Sequence, residues 1–368
     1  MPRPCSRDYT RREFLRAAGA LGAAGTVLGS APRRVAAQPK RPIPITASHS
    51  VSTFVYAQHL VAREKKFFED EGVTVDKGFI VPGGGAKVVQ ALAAGQAMFA
   101  LGDSNHPLKI SERGKEGVIL FATDTRCSYA NIVARKELYD AGLTGVEKLG
   151  TMKRPGGGKW IIAATAIGSG THVYGTYVLE QYKGPDGKPL NSGVEWVGGG
   201  ASTTMLGGLK AGKFDAIMAV PEWLWAAEDQ GFGKAIYSVL DERVWTQVFG
   251  GPLPVTVGYC LRETLERAPD AVQGYVTACY RAQKWIQKSP EGEIFELLHK
   301  PYMDTFSRDE VLKSIRYYRG IFDWDFLVDE KEYNQVLKIF LATKVIEKEI
   351  PFAKAVDMSF VRKAHQKG

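Results

Sequence analysis

The chain contains two pairs of similar segments, and this internal repeat is the feature that most restricts its fold. The segment from Thr53 to Val61 (TFVYAQHLV) is followed 118 positions later by the segment from Thr171 to Leu179 (THVYGTYVL). A second pair comes in the same order, in which a triple glycine at 83–85 or 198–200 precedes an Ala-Gly pair. Chance similarity between two βα units would be the better explanation of a single pair. Two pairs in the same order make chance the worse explanation. The repeat therefore predicts two similar lobes, and small ligands commonly bind in the cleft between lobes.

The first 37 residues predict an export signal of the twin-arginine type. Arg11-Arg12 is followed by a weakly apolar stretch at 17–29 and by a small-residue cleavage site at 35–37. The alternatives are a short amphipathic helix or a membrane anchor, but the apolar stretch is shorter than the ~20 residues that span a bilayer. We therefore expect a mature chain that begins near Gln38 and is located in the periplasm.

The distribution of charge argues against a nucleic-acid partner. Of the formal net charge of +8, residues 1–37 carry +5, from seven Arg against one Asp and one Glu, which leaves about +3 for the remainder. A domain that binds nucleic acid should show a concentrated basic face. Beyond the signal, the cysteines Cys127, Cys260 and Cys279 have a spacing that fits no metal pattern. We expect buried free thiols, no metal and no cofactor.

Short apolar stretches alternate with helical patterns along the mature chain, which predicts an α/β fold. The predicted strands cover 45–48, 73–81, 98–101, 118–123, 160–164, 193–197, 214–219 and 253–259. A helix is predicted from Val51 through Phe68. This alternation predicts mostly parallel sheets with flanking helices, and the last strand is placed to cross back to the first lobe. Beyond Arg262 the pattern is helical, with a capping box at Ser307 and Glu310.

The loops that follow the predicted strands are the candidate ligand site. In open α/β sheets, ligands bind beyond the carboxyl ends of strands, where helix N-termini favour an anionic or polar head. Nearby aromatic rings favour a planar body. The predicted ligand-binding residues are His49, Ser50, Ser52, Thr53, Phe54, Gly84, Gly85, Asp103, Ser104, Ser169, Gly170, Thr171, His172, Glu222 and Trp223. The alternative for the Ser and Thr residues is that they only cap their own helices.

Three blocks of the sequence resemble one known family. The block from Val61 to Val75 is similar to the A-x-E-x-G-F-F-x-x-E-G-L-x-V signature of the ABC-transporter solute-binding proteins for nitrate, sulfonate and taurine, with the thiamine-pyrimidine-synthase-like group. Gly84-Gly85 followed by residues 90–96 looks like the next block of that family. Residues 209–216 and 221–223 resemble its second-lobe block.

The resemblance implies a two-lobe type II periplasmic-binding-protein fold with two hinge strands and a helical C-terminal region. It places lobe 1 at 38–125 plus 250–368 and lobe 2 at 126–249. It also implies a monomer without catalytic residues, which closes on a small molecule by a hinge motion. The implied partners are an inner-membrane ABC permease and its cytoplasmic ATPase.

Two other functions stay open from the sequence. One is an enzyme on the same fold, desulfinase-like or pyrimidine-synthase-like, for which Cys127 is the candidate nucleophile. The Cys-rich iron motif of the pyrimidine synthases is absent from the sequence, which counts against that chemistry. The other is a sensory ligand-binding subunit. Two positions depart from the family pattern: Lys66 stands where glycine is usual, and Met98 stands where aspartate is usual.

Overall fold

Residues 41–75 and 77–367 are described by the computed structural model of the chain. The predicted export signal at 1–37 lies outside the described residues. Within them, no helix is both long enough and apolar enough to cross a membrane. Strands and helices alternate along the first two thirds of this part of the chain, and helices follow to its end.

The described strands are short and belong to three sheets. They are β1 (Ile43–Pro44), β2 (Ala47–Ser48), β3 (Val73–Thr74), β4 (Phe99–Asp103), β5 (Gly117–Ala122), β6 (Asn131–Arg135), β7 (Trp160–Ala164), β8 (Val194–Gly198), β9 (Ala216–Ala219), β10 (Gly233–Tyr237) and β11 (Thr256–Leu261). We call the sheet ordered β2-β4-β11-β5 the first sheet and the sheet ordered β10-β6-β9-β7-β8 the second sheet. The third sheet pairs β1 with β3.

The predicted α/β class is confirmed, but the two larger sheets are mixed instead of mostly parallel. Strand β2 is parallel to β4, and β7 is parallel to β8 and β9. Every antiparallel pair in these sheets includes β6 or β11. These two strands are the first ones after each pass of the chain between the sheets, at 123–130 and 238–255. A strand that enters from another sheet needs no helical crossover, so its direction is not forced to be parallel.

The helices cover the sheets and form the C-terminal region. They are α1 (Ala57–Glu64), α2 (Phe67–Asp70), α3 (Gly85–Ala93), α4 (Asn105–Glu112), α5 (Lys136–Asp140), α6 (Gly170–Gln181), α7 (Ser202–Lys210), α8 (Pro221–Asp229), α9 (Glu242–Phe249), α10 (Arg262–Arg267), α11 (Pro269–Lys288), α12 (Glu291–Tyr302), α13 (Arg308–Arg319), α14 (Glu330–Ala342), α15 (Phe352–Ala355) and α16 (Ser359–Lys367). Single 3-10 turns lie at Phe54–Tyr56, Val146–Gly150 and Leu190–Gly193.

Stacked aromatic rings belong to the hydrophobic core of the described residues. Tyr275 of α11 stacks on Phe99 of β4, with ring centroids 4.3 Å apart. Phe249 stacks on Trp245 of the same helix, α9, at 4.1 Å and contacts Tyr174 of α6 at 5.6 Å. All five side chains are buried. Full burial of a large apolar side chain contributes about 1.5–3 kcal/mol, so these rings hold α11 on the first sheet and α9 on α6.

The C-terminal helices contact residues of both passes of the chain between the two larger sheets. The predicted capping box at the start of α13 is confirmed, since the Ser307 hydroxyl accepts from the Glu310 amide and the Glu310 carboxylate accepts from the Ser307 amide at 2.6 Å. At the other end of α13, Tyr318 donates to the hydroxyl of Ser128 at 3.0 Å. From α14, the Gln335 side chain donates to the carbonyl of Phe249 at 3.3 Å. The tail therefore packs along the same face on which the chain passes between the sheets.

The predicted helix from Val51 through Phe68 is wrong as a single element. The chain forms a 3-10 turn and then α1, and it turns at Lys65 and Lys66 before α2 begins. Lys66 has a φ of 58°, in the left-handed region that glycine adopts most easily. This backbone conformation ends α1. It also gives a physical reason why glycine is usual at this position in the resembled family.

Candidate ligand-binding cleft

The two passes of the chain between the sheets lie side by side and are bonded to each other. The amide of Thr123 donates to the carbonyl of Thr256, and the amide of Leu253 donates to the carbonyl of Thr125, both at 2.8 Å. The carboxylate of Asp124 accepts from the amide of Thr256 at 2.8 Å. Two connections thus join the two larger sheets, and the second, at 238–255, contains α9.

A cavity lies next to these passes, between the two larger sheets. Equal numbers of its lining residues come from two sides, which we define by the first pass. The residues before that pass are Ser50, Val51, Val55, Tyr56, Gly85, Asp103 and His106. The residues within or after it are Tyr129, Thr165, Ser169, Gly170, Thr171, Val220 and Trp223. The cavity volume is about 30 Å³. A water molecule needs roughly 10–15 Å³ on this measure, so the cavity in this conformation has room for about two waters and not for an organic solute.

Seven of the predicted ligand-binding residues meet at this cavity. They are Ser50, Gly85, Asp103, Ser169, Gly170, Thr171 and Trp223. They come from five segments of the chain: after β2, at the start of α3, at the end of β4, after β7 and after β9. This is the arrangement expected from ligand binding beyond the carboxyl ends of strands.

Four of the other predicted residues pack close to the first sheet and do not line the cavity. His49 is buried, with its ring 5.3 Å from that of Tyr56. Thr53 is buried, and its hydroxyl has no partner among the described residues. Ser104 is buried and its amide donates to the carbonyl of Val255. Ser52 is half-buried.

The remaining four predicted residues lie in contacts across the cleft or on its second-sheet side. The amide of Phe54 donates to the carboxylate of Glu222 at 3.0 Å. Gly84 lies against residues 165–166, where an added Cβ would have only 3.1 Å to the Cβ of Ala166. His172 is half-buried and packs edge-on against Trp196. Glu222 and Phe54 are thus joined to each other instead of facing the cavity.

Seven lining residues were not predicted. They are Val51, Val55, Tyr56, His106, Tyr129, Thr165 and Val220. Tyr56 has its counterpart at Tyr174 in the second copy of the repeat, and of the two only Tyr56 lines the cavity. Thr165 directly follows β7, and its position at the end of a predicted strand was a signal that could have found it. Tyr129 lies in the first pass, where no sequence pattern marked a site.

Asp103 is the charged side chain of the lining. It ends β4, is 3% exposed, and accepts from the Tyr129 hydroxyl at 2.6 Å and from the Asn105 amide at 2.9 Å. Burial raises the pKa of Asp103 to about 6, against the lowering effect of these hydrogen bonds. One carboxylate oxygen lies so close to Gly170 that any Cβ there would overlap with it. The carboxylate of Asp103, on one side of the cleft, thus lies against the N-terminus of α6, on the other side.

Two buried nitrogen atoms of the lining have no hydrogen-bond partner in the described part of the chain. They are Nε2 of His106 and Nε1 of Trp223. The other ring nitrogen of His106, Nδ1, bonds the Tyr259 hydroxyl at 3.0 Å. Burial lowers the pKa of His106 to about 3, so its ring is neutral. Buried polar atoms are normally bonded, and unpaired ones in a cavity mark places where a ligand can bond.

The hydroxyls at the start of α6 bond each other and do not cap the helix. The Thr165 hydroxyl lies 3.0 Å from that of Ser169 and 2.9 Å from that of Thr171. Among the described residues, neither Ser169 at the start of α6 nor Thr53 before the 3-10 turn makes a side-chain cap. The capping alternative for these two residues therefore has no support in the geometry.

The cleft is held closed by contacts outside the cavity as well. The ammonium of Lys109 in α4 donates to the carbonyl of Gly168, before α6, at 3.0 Å. Gly84 also lies against residues 165–166, and the amide of Phe54 donates to Glu222. Three segments of one side are thus joined to the other side. The conformation is a closed one.

The structure offers no activated thiol at the cleft. Cys127, Cys260 and Cys279 are buried and free, as predicted. Burial raises the pKa of the Cys127 thiol well above its usual range, so it is protonated at neutral pH and is a poor nucleophile. Among the described residues, no group of three His, Cys, Asp or Glu side chains is placed to hold a metal ion.

Comparison with known sequences identifies a family. The sequence profile of the NMT1-like family matches residues 50–295, which is two thirds of the chain. YtlA of Bacillus subtilis (strain 168), provisionally described as a binding protein, is 24% identical over 325 residues, which cover 86% of this chain and 87% of that protein.

Solved structures share the fold at lower identity. A protein from Bordetella bronchiseptica RB50 superposes with a TM-score of 0.71 at 23% identity, over 90% of this chain and 99% of that one. The periplasmic nitrate-binding protein NrtA from Synechocystis PCC 6803 gives 0.64 at 14% identity, over 89% of each chain. The desulfurization enzyme DSZB gives 0.60 at 15% identity, over 88% of this chain and 99% of that one. The predicted periplasmic-binding-protein fold is therefore confirmed.

Proposed function

The chain belongs to the NMT1-like family, and from that premise we propose that it is the solute-binding component of an ABC importer. The observation that carries the proposal is the cavity whose lining is shared equally between the two sides of a doubly connected cleft. A binding site shared in this way lets one bound molecule contact both sides at once, which favours the closed state over an open one. The relatives YtlA and NrtA, a binding protein and a nitrate-binding protein, support this class of function.

In this proposal, residues 38–125 with 250–368 form one lobe and residues 126–249 form the other. The paired passes at 123–130 and 238–255 serve as the hinge. The mature protein acts as a monomer in the periplasm and passes its solute to a membrane permease driven by an ATPase. The twin-arginine route is tested by replacing Arg11 and Arg12 with lysine, after which precursor should accumulate in the cytoplasm; normal export of that variant would contradict the route.

The solute is a small organic molecule with a planar part. Tyr56, Tyr129 and Trp223 supply the rings that such a molecule would stack against. An anionic head, which the loop amides suggested, has less support. Among the described residues, the lining contains no lysine or arginine, and it contains the carboxylate of Asp103.

An enzyme on this fold is the second candidate, because DSZB shares the architecture. The buried, protonated state of Cys127 disfavours thiol catalysis. The two functions differ in what happens to the bound molecule: a receptor releases it unchanged, whereas an enzyme converts it.

The test is to recover the solute that the protein carries. Wild-type protein purified from its own source is denatured, and released small molecules are identified by mass spectrometry. Val220→Trp places a large ring in the cavity, and Val81→Trp is the matched control at a position that is 43% exposed. We expect about one equivalent of one solute from wild type and control, and none from Val220→Trp. Equal release from Val220→Trp would overturn the cleft site, and conversion of the solute by the purified protein would favour the enzyme.

A further inference from the structure

The cavity has an unbalanced charge, and this bears on which solutes the cleft accepts. The inference rests on the proposed function, since it concerns the solute of the same cleft. Asp103 lines the cavity and forms no direct ion pair among the described residues. The ammonium of Lys109 acts on the charge of Asp103 from outside the lining, and it bonds the carbonyl of Gly168. His106 cannot balance the charge because its ring is neutral. A buried carboxylate without a directly paired cation is costly, so a ligand that supplies one binds with an advantage.

The carboxylate is fixed in place and still able to accept hydrogen bonds. The backbone amide and the side-chain amide of Asn105 both donate to Oδ1, and the hydroxyl of Tyr129 donates to Oδ2. An ionised carboxylate has about four acceptor positions, so one remains for a ligand, on Oδ2. Because both partners are themselves buried, the carboxylate is oriented before the ligand arrives.

The rings around Asp103 suit a cation. Tyr56, Tyr129 and Trp223 line the same small cavity as the carboxylate. The faces of such rings attract a positive charge within about 6 Å and also pack against a planar group. An anion in the cavity would be repelled by the carboxylate and by the ring faces. The lining has no lysine or arginine to offset that repulsion.

We propose that the cleft selects a planar organic cation, an amidinium- or ammonium-bearing solute whose charged nitrogen group bonds Asp103 and lies among Tyr56, Tyr129 and Trp223. The unpaired Nε1 of Trp223 donates a hydrogen bond to an acceptor on the same solute. The solute class is thus defined by a positive nitrogen group and a flat ring.

The test uses three small probes of one shape and three charges: benzamidine, which is a cation at neutral pH, benzamide, which is neutral, and benzoate, which is an anion. Solute-free protein, prepared by unfolding and refolding, is titrated by calorimetry at pH 7.5. Benzamidine should bind about ten- to a hundredfold more tightly than benzamide, which is the contribution of a hydrogen bond to a charged group. Benzoate should not bind measurably.

Two variants locate the preference. Asp103→Asn should bind benzamidine and benzamide with similar affinity. Glu310→Gln, which changes a buried carboxyl in the capping box of α13 and outside the lining, should keep the wild-type preference. If Asp103→Asn does not fold, the order of the three probes' affinities for the wild-type protein still tests the proposal.

Benzoate binding as tight as that of benzamidine, or no binding of benzamidine at 10 mM, would overturn the cation proposal. Neither result contradicts the receptor function. That function is tested separately, by whether wild type releases a solute and Val220→Trp releases none. A released solute that is an anion would likewise uphold the receptor and overturn the cation.

Discussion

At the scale of single residues, the repeated threonines have different surroundings despite their matched positions. Thr171 lines the cavity and shares hydrogen bonds with Thr165 and Ser169. Thr53 is buried behind the cavity wall, and its hydroxyl has no partner among the described residues. The two copies of the repeat therefore contribute unequally to the site.

We predict that Thr171→Ala weakens binding of the released solute by about 0.5–1.5 kcal/mol, the usual net contribution of one hydrogen bond. Thr53→Ala, the matched control, should change affinity less than twofold, because its hydroxyl is outside the lining. Calorimetric titration of both variants, with melting curves to confirm folding, measures the difference. Equal losses of affinity in the two variants would contradict this assignment.

The sequence could identify part of the site because strand ends and helix starts leave local patterns. Asp103 and Gly170 were predicted from such loops, and both line the cavity. His106 could not be predicted, since its position depends on how closely α4 approaches Gly85, where a Cβ would overlap with the imidazole ring. Tyr129 is placed by the pass between the sheets, which is a tertiary feature without a local pattern.

At the scale of elements, the predicted strands overlap β2 to β5, β7 to β9 and β11, whereas β1, β6 and β10 were missed. Strand β6 begins with Asn131, a residue depleted in strands, whose side chain bonds the carbonyls of Ser128 and Ala219 and accepts from the amide of Val239. These partners are up to 108 residues away in the chain. Only the folded neighbours explain why a polar residue begins a buried strand.

The turn between α1 and α2 gives a prediction at this scale. Lys66 has a left-handed backbone, which costs roughly 1–2 kcal/mol for a residue with a Cβ. Glycine removes that cost and adds about 0.5–1 kcal/mol of lost chain entropy. Lys66→Gly should therefore raise the free energy of unfolding by about 0.5 kcal/mol or slightly more.

The control for that variant is Lys65→Gly. Lys65 has a φ of −87°, where glycine has no steric advantage, so the variant keeps only costs: the chain entropy of glycine and the lost contacts of Lys65 with Trp285 and Glu293. Urea unfolding should show opposite shifts in the two variants. A destabilised Lys66→Gly would show that the lysine makes interactions that outweigh its backbone strain.

At the scale of the whole molecule, buried carboxyl groups make stability depend on pH. Burial raises the pKa of Asp124 to about 8 and that of Glu222 to about 7. Between the unfolded values near 4 and these folded values, the folded state holds protons that the unfolded chain has lost. The free energy of unfolding therefore falls as pH rises through that range. His49 and His106, with pKa values lowered by burial to about 3, act in the opposite direction up to about pH 6.5.

Above pH 6.5 the unfolded chain loses its remaining histidine protons within about one pH unit, so the opposing effect fades and the carboxyl groups decide the trend. We predict that the melting temperature falls between pH 6.5 and pH 8. Asp124→Asn, which cannot ionise, should make the fall smaller. Scanning calorimetry at constant ionic strength measures both. A melting temperature that stays constant or rises over this range would contradict the raised pKa of Asp124.

The closed cavity of about 30 Å³ has a consequence for kinetics. A solute larger than two waters cannot diffuse into it, so it enters only during the intervals in which the cleft is open. The rate of association is then the diffusional rate multiplied by the open fraction, well below the limit for a preformed pocket. The bond from Lys109 to Gly168 joins the two sides outside the cavity in this conformation, so it opposes the entry of a solute. The rate at which the empty protein takes up cargo is therefore set by how often the cleft opens.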